Sequence, residues 1–143
     1  INETTEEKKE TLPSQSATSL SDLKILVAED DMTSRDYINL IIKKIVKEII
    51  NVKDGVEAVE ICRENPDIDI ILMDILMPGL DGLQATAKIR KFNKDVIIIA
   101  QTAYALSGDK EKAIRAGCND YISKPIDREE LLKKIDFNLK KKL

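Results

Sequence analysis

The sequence predicts one α/β domain in which helices cover both faces of a five-stranded, doubly wound parallel sheet. Short apolar runs of strand length alternate five times with stretches of helical periodicity. Because the connections between the runs are short and carry helices, the strands must lie parallel and the crossovers must be right-handed. The 143 residues suit one domain with a substantial core and are too few for two comfortable domains.

The central strand is the apolar run at residues 70–73, which leads directly into Asp74 and then into a loop with Pro78, Gly79 and Gly82. A continuous apolar run bounded by turn residues is typical of a strand buried on both faces. Asp74 would then lie at the carboxyl edge of the sheet, where open α/β sheets form their binding crevices. An isolated aspartate there could equally be a solvated loop acid or a helix cap, so the other strands decide its role.

The first strand is predicted at residues 24–28 and is followed by an acidic turn and a helix. Thr33 or Ser34 is expected to cap this helix. Its apolar positions recur with helical spacing, and they are Tyr37, Ile38, Ile41, Ile42 and Ile45. Leu40 and Val46 fall partly off that face, so the helix has a wider apolar surface than core packing requires.

The remaining elements continue the alternation. Strands are predicted at residues 49–52, 96–100 and 120–123, and helices after Asp54-Gly55, from Gly82, from Asp109 to Gly117 and through Leu131, Leu132, Ile135 and Leu139. Residues 1–22 are polar and lack hydrophobic periodicity, which predicts a flexible polar linker. The domain itself is therefore predicted over residues 23–143.

The composition argues against several classes of function. Apolar residues make up 43% of the chain, yet no apolar run approaches the roughly 20 residues that cross a bilayer. The net charge of −3 offers no electrostatic case for binding nucleic acid or a membrane surface. The absence of histidine removes Ser/His and Cys/His catalysis and most zinc sites. Cys62 and Cys118 lack metal-ligand spacing and are interpreted as reduced core residues of a cytoplasmic protein.

Polar side chains follow four of the predicted strands. They are Glu29, Asp30, Asp74, Thr102 and Lys124. The carboxyl ends of parallel strands meet at one edge, so these groups are expected to converge, and three carboxylates together are costly unless a cation neutralises them. Mg²⁺ fits best, because it accepts carboxylates, waters and phosphate oxygens. With a hydroxyl and an ammonium group added, such a cleft could hold a phosphoryl group, and an acid could accept it as an acyl phosphate.

Four segments carry a family resemblance, namely residues 25–31, residues 72–82, Thr102-Ala103 and residues 120–125. In order and spacing they resemble the receiver domain of two-component response regulators, over residues 23 to about 140. The Glu-Asp pair and the Met-Asp-Ile-x-Met-Pro-x-x-Asp-Gly run look most like receivers attached to hybrid histidine kinases. The resemblance implies the (βα)5 flavodoxin-like receiver fold.

The resemblance also implies a chemistry. Asp74 would be the phosphoacceptor, taking a phosphoryl group from a kinase phosphohistidine in a Mg²⁺-dependent reaction. The ion would be held by Asp30, by Asp74, by the backbone carbonyl of Leu76 and, through water, by Glu29. The domain would be a phosphoacceptor with slow autophosphatase activity, and its parent chain would be a histidine kinase.

Further roles follow from the same resemblance. Thr102 and Lys124 would bind the phosphoryl oxygens, and Tyr121 would be the aromatic switch that moves with Thr102. The expected partners are the dimerisation and phosphotransfer helices of a histidine kinase and a downstream histidine phosphotransfer protein. An exposed apolar patch beside a cleft marks a docking surface, so these helices are expected to dock at Tyr37 and Leu40.

Several positions modify this expectation. The resemblance implies that the residue two after the acceptor and the residue two after the hydroxyl, here Leu76 and Tyr104, flank the path of a hydrolytic water. Neither offers an acid or amide to orient that water, which predicts a long-lived phosphoryl group. Val46 stands where such receivers often have glycine, Asp31 where they often have asparagine, and Gln101 where an apolar residue is usual. None of these three replaces a predicted site residue.

Other interpretations share parts of the pattern. Residues 29–33 come within one residue of the Asp-x-Asp-x-Thr signature of haloacid-dehalogenase-like phosphatases, but Glu29 stands at the nucleophile position. An FMN-binding flavodoxin-like module would want a Ser/Thr/Gly-rich loop where the acids stand. Because the chain begins with Ile1, we expect a piece of a longer protein. The resemblance implies that this protein is a hybrid sensor kinase, with the chain as its C-terminal part on the cytoplasmic side of a membrane. A stand-alone single-domain response regulator is the alternative.

Overall fold

The computed structural model of the protein describes residues 20–103 and 108–142. The strands are β1 (Lys24–Ala28), β2 (Glu48–Val52), β3 (Ile70–Asp74), β4 (Ile97–Thr102) and β5 (Asp120–Ser123). The helices are α1 (Met32–Ile42), α2 (Gly55–Glu64), α3 (Gly82–Arg90), α4 (Asp109–Ala116) and α5 (Arg128–Lys142). A short 3-10 helix at Leu20–Asp22 precedes β1, and the rest of the predicted linker lies outside the described residues.

The five strands form one parallel sheet in the order β2-β1-β3-β4-β5. This order confirms the predicted doubly wound, flavodoxin-like fold. The chain winds outward in one direction from β1 to β2 and in the other from β3 to β5. The point where the direction changes lies between β1 and β3, and a crevice opens there at the carboxyl ends of the strands.

Each face of the sheet packs against its own group of helices. One cluster joins the sheet to α2, α3 and α4, through residues such as Cys62, Ile89 and Ala113. The other joins it to α1 and α5, through residues such as Ile38 and Leu131. Two layers of helices with the sheet between them bury every residue of β3, which is why its sequence is a continuous apolar run.

Side-chain alternation along the strands decides which polar groups meet. Ile70 and Leu72 of β3 face the α1/α5 cluster, and Asp74 comes next in the same period of two. On four strands, the polar residue that follows the last apolar residue of this face by two positions lies at or just beyond the strand end. These residues are Glu29, Asp74, Gln101 and Lys124. The pleat of the sheet therefore delivers the polar groups of four strands to one side of its carboxyl edge.

The start of α1 differs from the sequence-based expectation. Asp31 is the N-cap, and its side chain accepts a hydrogen bond of 2.8 Å from the backbone N–H of Ser34. The expected cap at Thr33 or Ser34 is therefore wrong. Asp31 precedes them and already satisfies a free amide of the first turn, so the helix begins earlier. At its other end α1 stops at Ile42, which leaves Ile45 in the following turn.

Both predicted core cysteines lie where expected. Cys62 and Cys118 are free and buried, and both belong to the cluster on the α2/α3/α4 face. Burial raises the pKa of each thiol above its ordinary value. A buried thiol with a raised pKa is poorly reactive, so these residues serve packing.

Two buried amides provide a test of how polar groups are tolerated in this core. Gln101 is 1% exposed, and neither polar atom of its side chain has a hydrogen-bond partner within residues 20–103 and 108–142. Asn138, 4% exposed, donates to Asp120 Oδ2 at 3.0 Å and to the Lys134 carbonyl at 2.8 Å.

We expect Gln101→Met to raise the free energy of unfolding by about 1–2 kcal/mol, because a buried polar group without a partner is replaced by an apolar chain of similar shape. Asn138→Leu is the matched control and should lower it by about 1–3 kcal/mol, because two satisfied hydrogen bonds are lost. Urea denaturation measures both. A loss of stability in Gln101→Met would show that its amide is satisfied in solution.

Candidate functional site

Three of the predicted site residues meet in one ion-paired group. Lys124, just after β5, places its Nζ 2.9 Å from Glu29 Oε1 and 3.1 Å from Asp74 Oδ2. Glu29 is fully buried and Asp74 is 4% exposed. The contact with Asp74 is also a hydrogen bond, whereas Glu29 Oε1 has no hydrogen-bonded partner in the described part of the chain. One ammonium group therefore serves two buried carboxylates.

Backbone amides orient the other oxygens of the same two carboxylates. The Leu76 N–H donates to Asp74 Oδ1 at 3.1 Å, and the Asp31 N–H donates to Glu29 Oε2 at 3.1 Å. Each carboxylate thus has one oxygen held by the loop after its own strand and one oxygen directed toward Lys124. Asp31 is engaged elsewhere, since its own carboxylate caps α1, and hydrogen bonds from Ser34 lower the pKa of Asp31.

Asp30 completes a group of three acids. Single ligand oxygens of Glu29, Asp30 and Asp74 all lie within 4.8 Å of one another, with Asp30 exposed and the other two buried. Hard divalent cations such as Mg²⁺ prefer carboxylate oxygens and keep several waters, which requires a site open on one side. The donors and the open side at Asp30 fit such an ion.

The electrostatics of the group favour a proton or a cation at Asp74. Burial raises the pKa of Asp74 to about 7, with the neighbouring Glu29 as a further cause, and Lys124 only partly opposes them. Burial alone would lower the pKa of Lys124, but its pairing with Glu29 and Asp74 outweighs burial and raises that pKa. The ammonium group is therefore firmly charged, and the carboxylates still carry excess negative charge.

Thr102 and Tyr121 contact residues of α4 and α5. The Thr102 hydroxyl, at the end of β4, donates to Asp109 Oδ2 at 2.7 Å. The centroid of the Tyr121 ring lies 5.3 Å from Lys110 Nζ and 5.1 Å from Lys134 Nζ. The sequence pattern pointed to Thr102 and Tyr121 but not to Asp109, whose acidic side chain at a helix start is an ordinary feature.

The surface beside the cleft is apolar. On α1, Tyr37 is 45% exposed and Leu40 is 65% exposed, as the off-stripe position of Leu40 predicted. A cavity of about 180 Å³ adjoins this surface, lined by Thr33, Ser34, Tyr37, Lys124, Pro125 and Ile126. Leu76 is 62% exposed at the site, while Tyr104, the second position predicted to shield the phosphoryl group, lies outside the described residues.

Comparison with known proteins assigns the class. Residues 25–136 match the family described as the response regulator receiver domain, and the chain belongs to this family. It is therefore neither a haloacid-dehalogenase-like phosphatase nor an FMN-binding flavodoxin-like module. None of the helices that the structure describes is both long enough and apolar enough to cross a membrane.

Two curated relatives illustrate the similarity. The chain is 39% identical to hybrid signal transduction histidine kinase I of Dictyostelium discoideum over 124 residues, covering 81% of this chain and 7% of the relative. It is 35% identical to the signal transduction histidine-protein kinase BarA of Escherichia coli K12 over 109 residues, covering 75% of this chain and 12% of the relative. The chain thus spans a small part of the length of these proteins.

Two solved structures are similar in fold and sequence. The receiver domain of a sensor histidine kinase from Pseudomonas aeruginosa PAO1, with a magnesium ion coordinated in its active-site cleft, is 38% identical at a TM-score of 0.72, covering 81% of this chain and 96% of that one. A chain in the co-crystal structure of the Saccharomyces cerevisiae histidine phosphotransfer protein Ypd1 with the receiver domain of Ssk1 is 32% identical at a TM-score of 0.75, covering 82% and 89%.

The raised pKa of Asp74 predicts a pH dependence of stability in buffer with a chelator. Between the ordinary value of 3.8 and about 7, the folded protein holds a proton that the unfolded chain releases. Stability should therefore fall as the pH rises toward 7, by at most about 1.4 kcal/mol per unit. From pH 5 to pH 8 we expect a loss of about 1–3 kcal/mol in urea denaturation.

Asp74→Asn should remove most of this slope, because the titrating group is gone. The interval from pH 5 to pH 8 is informative because the chain has no histidine, the residue whose ordinary pKa would fall within it. An equal slope in Asp74→Asn would assign the effect to another group.

Proposed function

We propose that this chain accepts a phosphoryl group on Asp74 from the phosphohistidine of a kinase, in a reaction that requires Mg²⁺. The observation that carries the proposal is the Lys124 ammonium group, which contacts both Glu29 and Asp74, with Asp30 open to solvent beside them. Membership of the response regulator receiver domain family further supports the proposal. Two buried acids and one partly buried ammonium group suit a cleft that holds a cation and a phosphoryl group together.

Asp30, Asp74 and the backbone carbonyl of Leu76 would hold the ion, with Glu29 acting through water. When bound, the ion supplies positive charge that favours the ionised Asp74 and offsets the phosphate oxygens. A carboxylate oxygen of Asp74 then attacks phosphorus, a P–O bond forms, and the P–N bond to the imidazole breaks. The imidazole leaves with the electron pair of that bond. Lys124 stabilises the negative phosphoryl oxygens throughout.

Thr102 would take part after transfer. Its hydroxyl is buried at the end of β4, the strand next to Asp74, and a hydroxyl can donate one hydrogen bond to a phosphoryl oxygen. Tyr121, on β5, is half-buried beside this strand and would change orientation when Thr102 moves. The two lysines near its ring stabilise the present orientation by cation–π contacts.

The proposed partners are the phosphotransfer helices of a histidine kinase and a histidine phosphotransfer protein. Support comes from the apolar surface of α1 at Tyr37 and Leu40, which lies beside the cleft, and from the Ssk1 receiver domain in its complex with Ypd1. A helical partner docked there could bring its histidine to Asp74. The histidine kinases among the relatives favour a parent chain that is itself a sensor kinase.

Phosphorylation by acetyl phosphate tests the site without any partner. With Mg²⁺ the chain should gain the mass of one phosphoryl group, located at Asp74 by borohydride reduction and peptide mass spectrometry. Asp30→Ala should lower both Mg²⁺ affinity and phosphorylation rate by at least tenfold, because it removes a direct ligand. Asp67→Ala, which removes an exposed acid paired with Lys24, is the control and should behave as the parent. Uptake of phosphate by Asp74→Asn at the parent rate would contradict the proposal.

Docking is tested by placing a charge on α1. Leu40→Glu should reduce transfer from a phosphorylated histidine phosphotransfer protein by about tenfold or more, because a buried interface cannot solvate the carboxylate. Acetyl phosphate chemistry should be unchanged. Ile114→Glu, at a residue 46% exposed on α4 across the sheet, is the matched control and should leave transfer unaffected. Equal loss in both assays for Leu40→Glu would mean that the fold, not docking, is damaged.

A further inference from the structure

The Thr102 hydroxyl is bound to the start of α4. Thr102 is the last residue of β4 and is 3% exposed, and Asp109 is the first residue of α4. The distance of 2.7 Å between Thr102 Oγ1 and Asp109 Oδ2 lies within the range of O–H···O⁻ bonds, which are about twice as strong as neutral ones. This contact is therefore a substantial constraint on a residue proposed to act at the phosphoryl group.

The hydroxyl cannot serve two acceptors. Threonine has a single O–H donor, and neither a carboxylate nor an ionised phosphoryl oxygen can donate in return. If Thr102 donates to a phosphoryl oxygen on Asp74, its bond to Asp109 must break. If it donates to Asp109, the phosphoryl oxygen lacks this donor. The two arrangements exclude each other.

Helix α4, which begins at Asp109, buries little of its surface. Within its eight residues α4 buries only Ala113. Its N-cap is Gly108, with φ of +80° and no side-chain hydrogen bond to the helix. A helix with little buried surface and a weak cap is among the first parts of a fold to move. The Thr102–Asp109 bond is thus a tie between the site and a movable element.

We propose that Asp109 is a positioning residue that holds the Thr102 hydroxyl in the unphosphorylated protein and competes for it with the phosphoryl group on Asp74. This inference rests on the proposed function. Phosphorylation transfers the one hydrogen bond from Asp109 to the phosphoryl oxygen and releases the first turn of α4. Asp109 therefore opposes the phosphorylated state and couples its formation to α4.

Beryllofluoride, which resembles a phosphoryl group on a carboxylate, is the probe. In Mg²⁺ buffer, calorimetric titration of the 143-residue chain should show that Asp109→Ala binds it about tenfold more tightly than the parent, the scale of one hydrogen bond to a charged group. Asp109→Asn keeps the shape and a neutral acceptor, so its gain should be smaller. Glu111→Ala removes a charge from the same turn and should stay within about twofold of the parent.

The Asp109→Ala change is also tested in a variant without the Thr102 hydroxyl, which distinguishes competition for that hydroxyl from a purely structural role of Asp109. In Thr102→Val, which keeps the shape but has no hydroxyl, adding Asp109→Ala should no longer tighten binding. Thermal melts identify any variant that fails to fold, in which case Asp109→Asn decides. Unchanged or weaker binding in both Asp109 variants, with normal binding by the parent, would overturn the inference and leave the proposed function standing. A parent chain that binds no beryllofluoride and accepts no phosphoryl group would overturn both.

Discussion

The structure of the cleft depends on one ammonium group shared between two buried carboxylates. Lys124 contacts Glu29 and Asp74, which come from different strands, so the carboxyl ends of β1, β3 and β5 are bound together at one point. An unpaired buried charge costs several kcal/mol, whereas a pair with good geometry offsets much of that cost. The two ion pairs of Lys124 therefore hold the loop after β5 against the ends of β1 and β3.

The same balance leaves the cleft short of positive charge. Three acids face one lysine, and burial together with the neighbouring Glu29 raises the pKa of Asp74 to about 7. A divalent cation at this site would offset the negative charge, and a phosphoryl group on the proposed acceptor Asp74 would then add negative charge that the cation and Lys124 could hold together. Charge requirements would thus link the proposed metal binding and phosphate acceptance in one site.

Two neighbouring residues of β4 have their side chains on opposite faces of the sheet beside the cleft. Gln101 is paired in register with Asp74 and has its side chain on the buried α1/α5 face, while Thr102 is bound to α4 on the other face. Of the two residues, Thr102 is therefore the one with a hydrogen bond to a helix in the part of the chain that the structure describes. Because α4 buries little of its surface, this side is the easier one to displace.

The sequence by itself determined the architecture and most of the candidate site. Apolar periodicity and turn residues are local signals, and parallel strands must end at one edge, so Glu29, Asp30, Asp74 and Lys124 could be expected to converge. Only the tertiary structure decided that Asp31 caps α1 and that Thr102 donates to Asp109. Asp31, Thr33 and Ser34 could each have capped α1, and the residue at which the helix begins decides which of them does so. The Thr102 contact depends on where α4 lies against the sheet, which no local pattern specifies.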